Sequence, residues 1–220
     1  MILQGRKKCC DRCGSCCQQG GPALHLDDLP LLQEGHIVPG DLVTIRQGEL
    51  AYEPMSSTPV PVVSEFLKVR GRQGAWTCRF YDEEGHSCTI YNRRPVACGL
   101  FDCTAPEAIL RITGKDLLTR FDYPGADTSL VVLAQKHEQR CPCPDMSMVA
   151  AGLCNPDERP RLLEELTPLV NTDLLFRREM AERQRLSLGD ELFWFGRPLF
   201  QLLVPLGIHI HETLGEVCLY

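Results

Sequence analysis

Cysteine is the residue type whose spacing could do chemistry in this chain. Cys10, Cys13, Cys16 and Cys17 follow the pattern C-x2-C-x2-C-C, and Cys78, Cys88 and Cys98 recur at equal intervals further on. On a helix, a rotation of about 100° per residue brings the four clustered thiols, with Cys9, into an arc of roughly 120°. One helix would then present a sulfur-lined face. Disulfides suit such a face poorly, because neighbours such as Cys16 and Cys17 cannot easily bridge each other. Thiolate ligation of metal suits it well. A tetrahedral zinc and a cubane iron–sulfur cluster each take four ligands, so seven cysteines exceed one site. The expected arrangement divides the clustered thiols between centres, with Cys78, Cys88 and Cys98 completing the shells.

The composition supports reduced thiols. There are 13 cysteines among 220 residues, an odd count, and Arg6-Lys7-Lys8 runs straight into cysteines where an export signal would need an apolar stretch. A cytoplasmic protein with ligand or buried thiols is expected. The longest apolar tract, Leu192 to Ile210, is interrupted by Gly196, Arg197, Pro198 and Pro205, so no membrane span is expected. A net charge of −6 with one short basic run argues against a nucleic-acid partner, which requires a basic face.

Other chemistry has little support. The chain has no P-loop, no G-x-G-x-x-G, no G-x-S-x-G and no H-E-x-x-H. His209 and His211 alternate as in a strand but lack a third neighbour in sequence, and His86 falls in a turn, where exposure is the simpler expectation. Cys9, Cys103 and Cys218 read as ordinary small buried residues. Cys141 and Cys143, with Cys154 and Cys103, offer a separate site. Arg12, Arg79, Arg93 and Arg94 flank the candidate ligands and would offset thiolate charge, Arg94 above all. Tyr91 reads as packing before it reads as a hydrogen-bond donor to sulfur.

The elements that must position these residues are short at first. A turn or two of helix over Cys9 to Cys17 is stopped by Gln19-Gly20-Gly21-Pro22. A short helix capped by Asp27 carries Leu29, Leu31 and Leu32 and ends at Gly35. A hairpin is expected between Leu42–Arg46 and Glu49–Tyr52 about Gln47-Gly48, then a connector over Pro54 to Pro61. A second hairpin, Trp76–Tyr81 with Cys88–Tyr91, would set Cys78 opposite Cys88. Pro95 should start a helix carrying Cys98, Thr104, Pro106 and Glu107 should restart one, and Thr128 should cap another over 129–138. Beyond Cys154 the spacing of Leu162, Leu163, Leu166, Leu169, Val170 and Leu174 predicts helix, and Asp190 to about Leu203 a further one. The apolar positions Phe193, Trp194, Phe195 and Phe200 read as core or partner surface. The fold class expected is α+β and α-rich, with a cysteine-cluster domain over 1–155 and a helical extension over 156–220.

The set Cys10-Asp11-Arg12-Cys13-Gly14-Ser15-Cys16-Cys17, Cys78-Arg79-Phe80, Cys88-Thr89-Ile90-Tyr91, Arg94-Pro95 and Cys98 resembles the YkgJ-type cysteine-cluster family, the CxxCxxCC domain. The likeness covers about residues 9 to 101 and continues more weakly to Cys141-Pro142. It implies a zinc- or iron-binding module with about eight ligand cysteines, and a relationship to flagellin lysine-N-methylases. Gly99 stands where a basic residue is usual, and Cys143 where glycine is commoner. Under the resemblance the eighth ligand is Cys141 first, then Cys143, Cys103 or Cys154. Three functions follow: a metal-binding protein whose thiolate centres are structural or redox-active; an iron–sulfur-dependent modifying enzyme such as a protein-lysine methyltransferase; or a zinc-stabilised interaction module docking through its carboxy-terminal helices.

Overall fold

The computed structural model describes residues 13–72, 75–123, 125, 127–213 and 216–220. Cys9, Cys10 and Arg12 lie outside the described residues. The fold is helix-rich α+β, and the strands form antiparallel sheets of two strands each.

The amino-terminal half is built from short pieces. Helix α1, Ser15–Gln18, begins only after Gly14, whose φ of 80° is left-handed. That conformation, and the Tyr81 hydroxyl lying where a Cβ would stand, require glycine. It also overturns the single sulfur-lined helix, because Cys13 lies before the break and Cys16 and Cys17 after it. Helix α2, Leu29–Gln33, follows a 3-10 turn over Leu26–Asp28. The carboxylate that closes this turn is Asp28, which accepts the His25 N–H at 2.9 Å, rather than the expected cap Asp27.

Strand β1, Leu42–Ile45, is buried along its whole length. It pairs not with β2, Leu50–Tyr52, but with β4, Phe66–Val69, in the register Leu42↔Val69 to Ile45↔Phe66. Strand β2 pairs with β3, Pro59–Pro61, within the expected connector. The hairpin about Gln47-Gly48 is thus a turn between strands that diverge. The reason is burial on both faces: β1 takes the apolar strand Phe66–Val69, and the half-exposed β2 takes an exposed proline-rich one. Strands β5, Tyr81–Asp82, and β6, Ser87–Cys88, form the second hairpin, with Tyr81 rather than Cys78 opposite Cys88. Cys78 instead bridges Gly71.

Helix α3, Val96–Leu100, follows Pro95 as expected, and α4 spans Glu107–Ile112. Helix α5, Thr128–Arg140, is capped one residue earlier than expected, because Asp127 accepts the Ser129 N–H at 2.7 Å. Helix α6 is Met146–Leu153 and α7 is Arg159–Gln184. The expected helix over 190–203 is two, α8, Leu188–Phe195, and α9, Leu199–Leu203, split at Gly196 with φ 68° and Pro198. The chain closes with a hairpin of β7, Ile210–Thr213, and β8, Glu216–Leu219. Among the described residues no helix is long and apolar enough to cross a membrane.

Helix α8 is the hub. Phe193, Trp194 and Phe195 are all buried, in one core with Leu42, Leu67, Leu118 and Phe176. Its last carbonyls, which an α-helix leaves unsatisfied, are met by side chains from elsewhere. Thr44 Oγ1 donates to Phe193 O at 2.5 Å, Arg120 Nη1 to Trp194 O at 2.6 Å and Arg177 Nη2 to Phe195 O at 2.8 Å. A second apolar cluster joins α6, α7, α9 and the final hairpin.

Candidate metal centre

Three segments remote in sequence deliver thiols to one place. Helix α1 is docked by a bond from the Cys78 N–H to the Cys17 carbonyl, 2.7 Å. Cys78 accepts in turn from the Tyr81 N–H at 2.9 Å, and Tyr81, 2 % exposed, pairs with Cys88 across the small hairpin. Cys13, exposed beside Ser15, acts with Cys17 on the Tyr81 hydroxyl. Cys98 arrives on α3, whose first amide, Val96 N–H, donates to Asp28 Oδ1 at 2.8 Å. The buried Asp28 carboxylate thus pins the start of that helix to the 3-10 turn.

The electrostatics of the thiols are collective. Burial pushes Cys17 up to about 12, with Cys16, Cys78 and Cys88 adding repulsion. Burial likewise pushes Cys98 well above the usual thiol range, and the contributing charges are Cys78, Cys17, Cys16 and Cys88. Cys78 is raised by burial, by Cys88 and by Cys16, against the opposing Phe80 N–H and Lys68 ammonium. Cys17, Cys78 and Cys98 each resist ionisation in the presence of the neighbouring thiols, and a soft cation among them would favour their thiolate forms. The set fits zinc or iron by its chemistry.

Lys68 was not read from the sequence as part of this site. Burial lowers its pKa while Cys78 and Cys98 oppose the shift, and its ammonium donates to the Gly21 carbonyl. The available signal was the alternation of β4: Leu67 and Val69 are buried in the core, so Lys68 belongs to the other face. The flanking arginines are engaged elsewhere. Arg79 pairs with Asp41, Arg93 bonds His36 at 3.0 Å, and Arg94 lies 4.1 Å over the Tyr91 ring and donates to its carbonyl.

Cys141, the first choice for the eighth ligand, is buried in the core that also holds Cys78 and Tyr81. Its thiol, pushed up to about 11 by burial, is acted on by Asp173, Arg46, Arg177 and Arg140. Among the described residues, the three metal-capable groups whose ligand atoms all lie within 4.8 Å of one another are His137, Cys141 and Asp173, not a trio from the cysteine cluster. His137 Nε2 donates to Asp173 Oδ1 at 2.6 Å, and Arg177 Nε donates to the same oxygen at 2.9 Å. Burial holds His137 down to about 4, with Arg177 and Arg46 contributing. Cys143 is half-buried and pushed up to about 12 by burial and by Glu49. Cys103 and Cys218 are exposed, against the expectation of burial, as is Cys154. Cys218 sits on the outer face of the closing hairpin, opposite His211.

No curated protein and no solved structure matches the chain. Residues 9–116 match the profile of the CxxCxxCC family, described as a "putative zinc- or iron-chelating domain". That stretch holds the clustered cysteines and ends before Cys141. Residues 9–116 of this chain therefore belong to the CxxCxxCC domain family.

Proposed function

We propose that this is a metal-binding protein of the cytoplasm in which Cys10, Cys13, Cys16, Cys17, Cys78, Cys88 and Cys98 hold zinc or an iron–sulfur cluster. The supporting observation is that Cys16, Cys17, Cys78 and Cys88 all act on the Cys98 thiol although they come from three separate segments. Bound metal supplies the positive charge that lets several of these thiols ionise together. Lys68 offsets part of the remaining negative charge, as a thiolate-rich centre requires. The elements carrying the thiols are two to five residues long, too short to hold themselves, so metal braces this part of the fold.

Four thiolates accept zinc and iron alike, and the two are separated by purification without oxygen, metal analysis and a visible spectrum. Zinc gives a colourless protein, an iron–sulfur cluster a brown one. Either metal in near-integer amount is the expected result; neither would end this reading. Cys13→Ser and Cys88→Ser should each lower bound metal, and full retention by both contradicts the ligand assignment.

A further inference from the structure

We propose that the arginine-bearing hairpin beside Cys78 is a docking surface for an acidic segment of a partner protein. The backbone fixes its form. Residues 70–72 run antiparallel to 77–79, with Gly71 bridged to Cys78. The Arg79 N–H donates to the Arg70 carbonyl at 3.0 Å, and the Arg72 N–H to the Thr77 carbonyl at 3.0 Å. Arg70 and Arg79 therefore stand directly opposite each other. The turn is tight: the Ala75 carbonyl oxygen lies where a side chain at 71 would begin, so only glycine fits there.

Like charges at directly opposed positions weaken a ladder, and little offsets them here. Asp41 pairs with Arg79, which ties the hairpin to the turn before β1. The Asp41 charge also acts on Arg70, but burial and the Arg79 charge both work against the Arg70 guanidinium. Its Nε has no hydrogen-bond partner. Arg72 is exposed, and its Nε donates to the Arg79 carbonyl at 3.1 Å rather than to a carboxylate. Among the described residues, three neighbouring guanidiniums thus have one ion-paired carboxylate, on a chain whose net charge is −6. A structural role accounts for Arg79 and leaves the charges of Arg70 and Arg72 unused.

Charge and composition together indicate the occupant. One exposed ion pair contributes little, so a row of guanidiniums favours a segment that brings several carboxylates over a single free anion. At the turn Trp76 is 66 % exposed, and the Arg197 guanidinium lies 6.0 Å from its ring centre. Tryptophan and arginine are the side chains enriched among the anchors of protein interfaces, and the open indole offers an apolar residue of the partner a place to pack. A nucleic acid would carry its phosphates across the whole face of an acidic chain. A short acidic segment meets only the hairpin. Arg79 directly follows Cys78, so docking here brings the partner alongside the cysteine cluster, and the surface does not depend on which metal the cluster holds.

The test uses the whole chain as purified, at low salt so that surface charge is not screened. The probe is a nonapeptide of glutamates with one central leucine. Peptide anisotropy reads binding, and tryptophan emission reads its place, because Trp76 is open to solvent while Trp194 is 3 % exposed. Saturable binding with a blue shift of the emission is expected. Arg72→Glu should weaken binding about tenfold, and Trp76→Ala should abolish the emission change, both with unchanged circular dichroism and metal content. Arg161→Glu, which reverses an exposed arginine on α7, should bind like the wild type. No saturable binding, equal affinity of Arg72→Glu and wild type, or tighter binding of an oligothymidylate of the same length overturns the proposal. Where Arg72→Glu does not fold, Arg72→Gln takes its place, with a smaller loss expected and an unchanged affinity again overturning the proposal.

Discussion

Around Cys17, Cys78 and Cys98 the elements run for two to five residues, and burial among neighbouring thiols disfavours ionisation of Cys17 and Cys98. Around Phe193 and Phe195 a 26-residue helix, α7, packs with α5 and α8, and buried arginines are matched to carbonyls and carboxylates. Arg46 and Arg120, both 0 % exposed, meet on Glu138, and Arg120 also binds Glu65 at 2.7 Å. One region carries its own compensation in apolar area and paired charge. The other gathers groups that resist ionisation together, and in the proposed reading a bound cation offsets them. Under that reading, elements only a few residues long coexist with convergent thiols because a ligand supplies the cohesion.

The sharpest break of this contrast is removal of metal. Structural zinc sites carry apparent binding energies of about 10–16 kcal/mol in small peptides, so chelation should expose residues 13–18 and 75–101 to rapid amide exchange. The amides of α7 and α8 should stay protected by comparison. Hydrogen exchange with and without chelator measures this, and equal protection in both states would dissolve the distinction. In the helical region the largest loss should come from Phe195→Ala. That change empties a fully buried ring site and should cost about 4 kcal/mol in denaturant unfolding while leaving cluster metal in place.

Arg120→Met should follow at about 3 kcal/mol, because it strips Glu65 of its arginine, leaves Glu138 with Arg46 alone and uncaps the Trp194 carbonyl. The smallest effect concerns acid. Burial alone would raise Glu138, but hydrogen bonds and charge from Arg46 and Arg120 outweigh it and hold the carboxyl below its ordinary value. The unfolded chain then takes up the proton first as pH falls below about 4.3. The contribution is full above that range and lost as pH drops through the folded value. Glu138→Gln should flatten this acid limb in a series of unfolding curves, and an unchanged slope would remove Glu138 from the account.

Much of the helical part was legible in the chain. The period of Leu162 to Leu174 marks α7, Pro95 marks the start of α3, and the aromatic run marks the buried face of α8. The thiol cluster was legible as residues, since spacing alone singled out Cys16, Cys17, Cys78, Cys88 and Cys98. Local patterns set these because helix period, proline geometry and cysteine spacing act over a few residues.

Partnership was decided only in three dimensions. Strand β1 chose β4 over its neighbour in sequence, Tyr81 rather than Cys78 came to face Cys88, and Cys141 fell beside His137 and Asp173. Lys68 came to the thiols through the pleat of β4, and the lone pair of His137 Nδ1 was left without a partner by the packing of two phenylalanines. Each of these outcomes follows from which buried surfaces meet. That depends on the summed burial of remote segments and is invisible to any window of sequence.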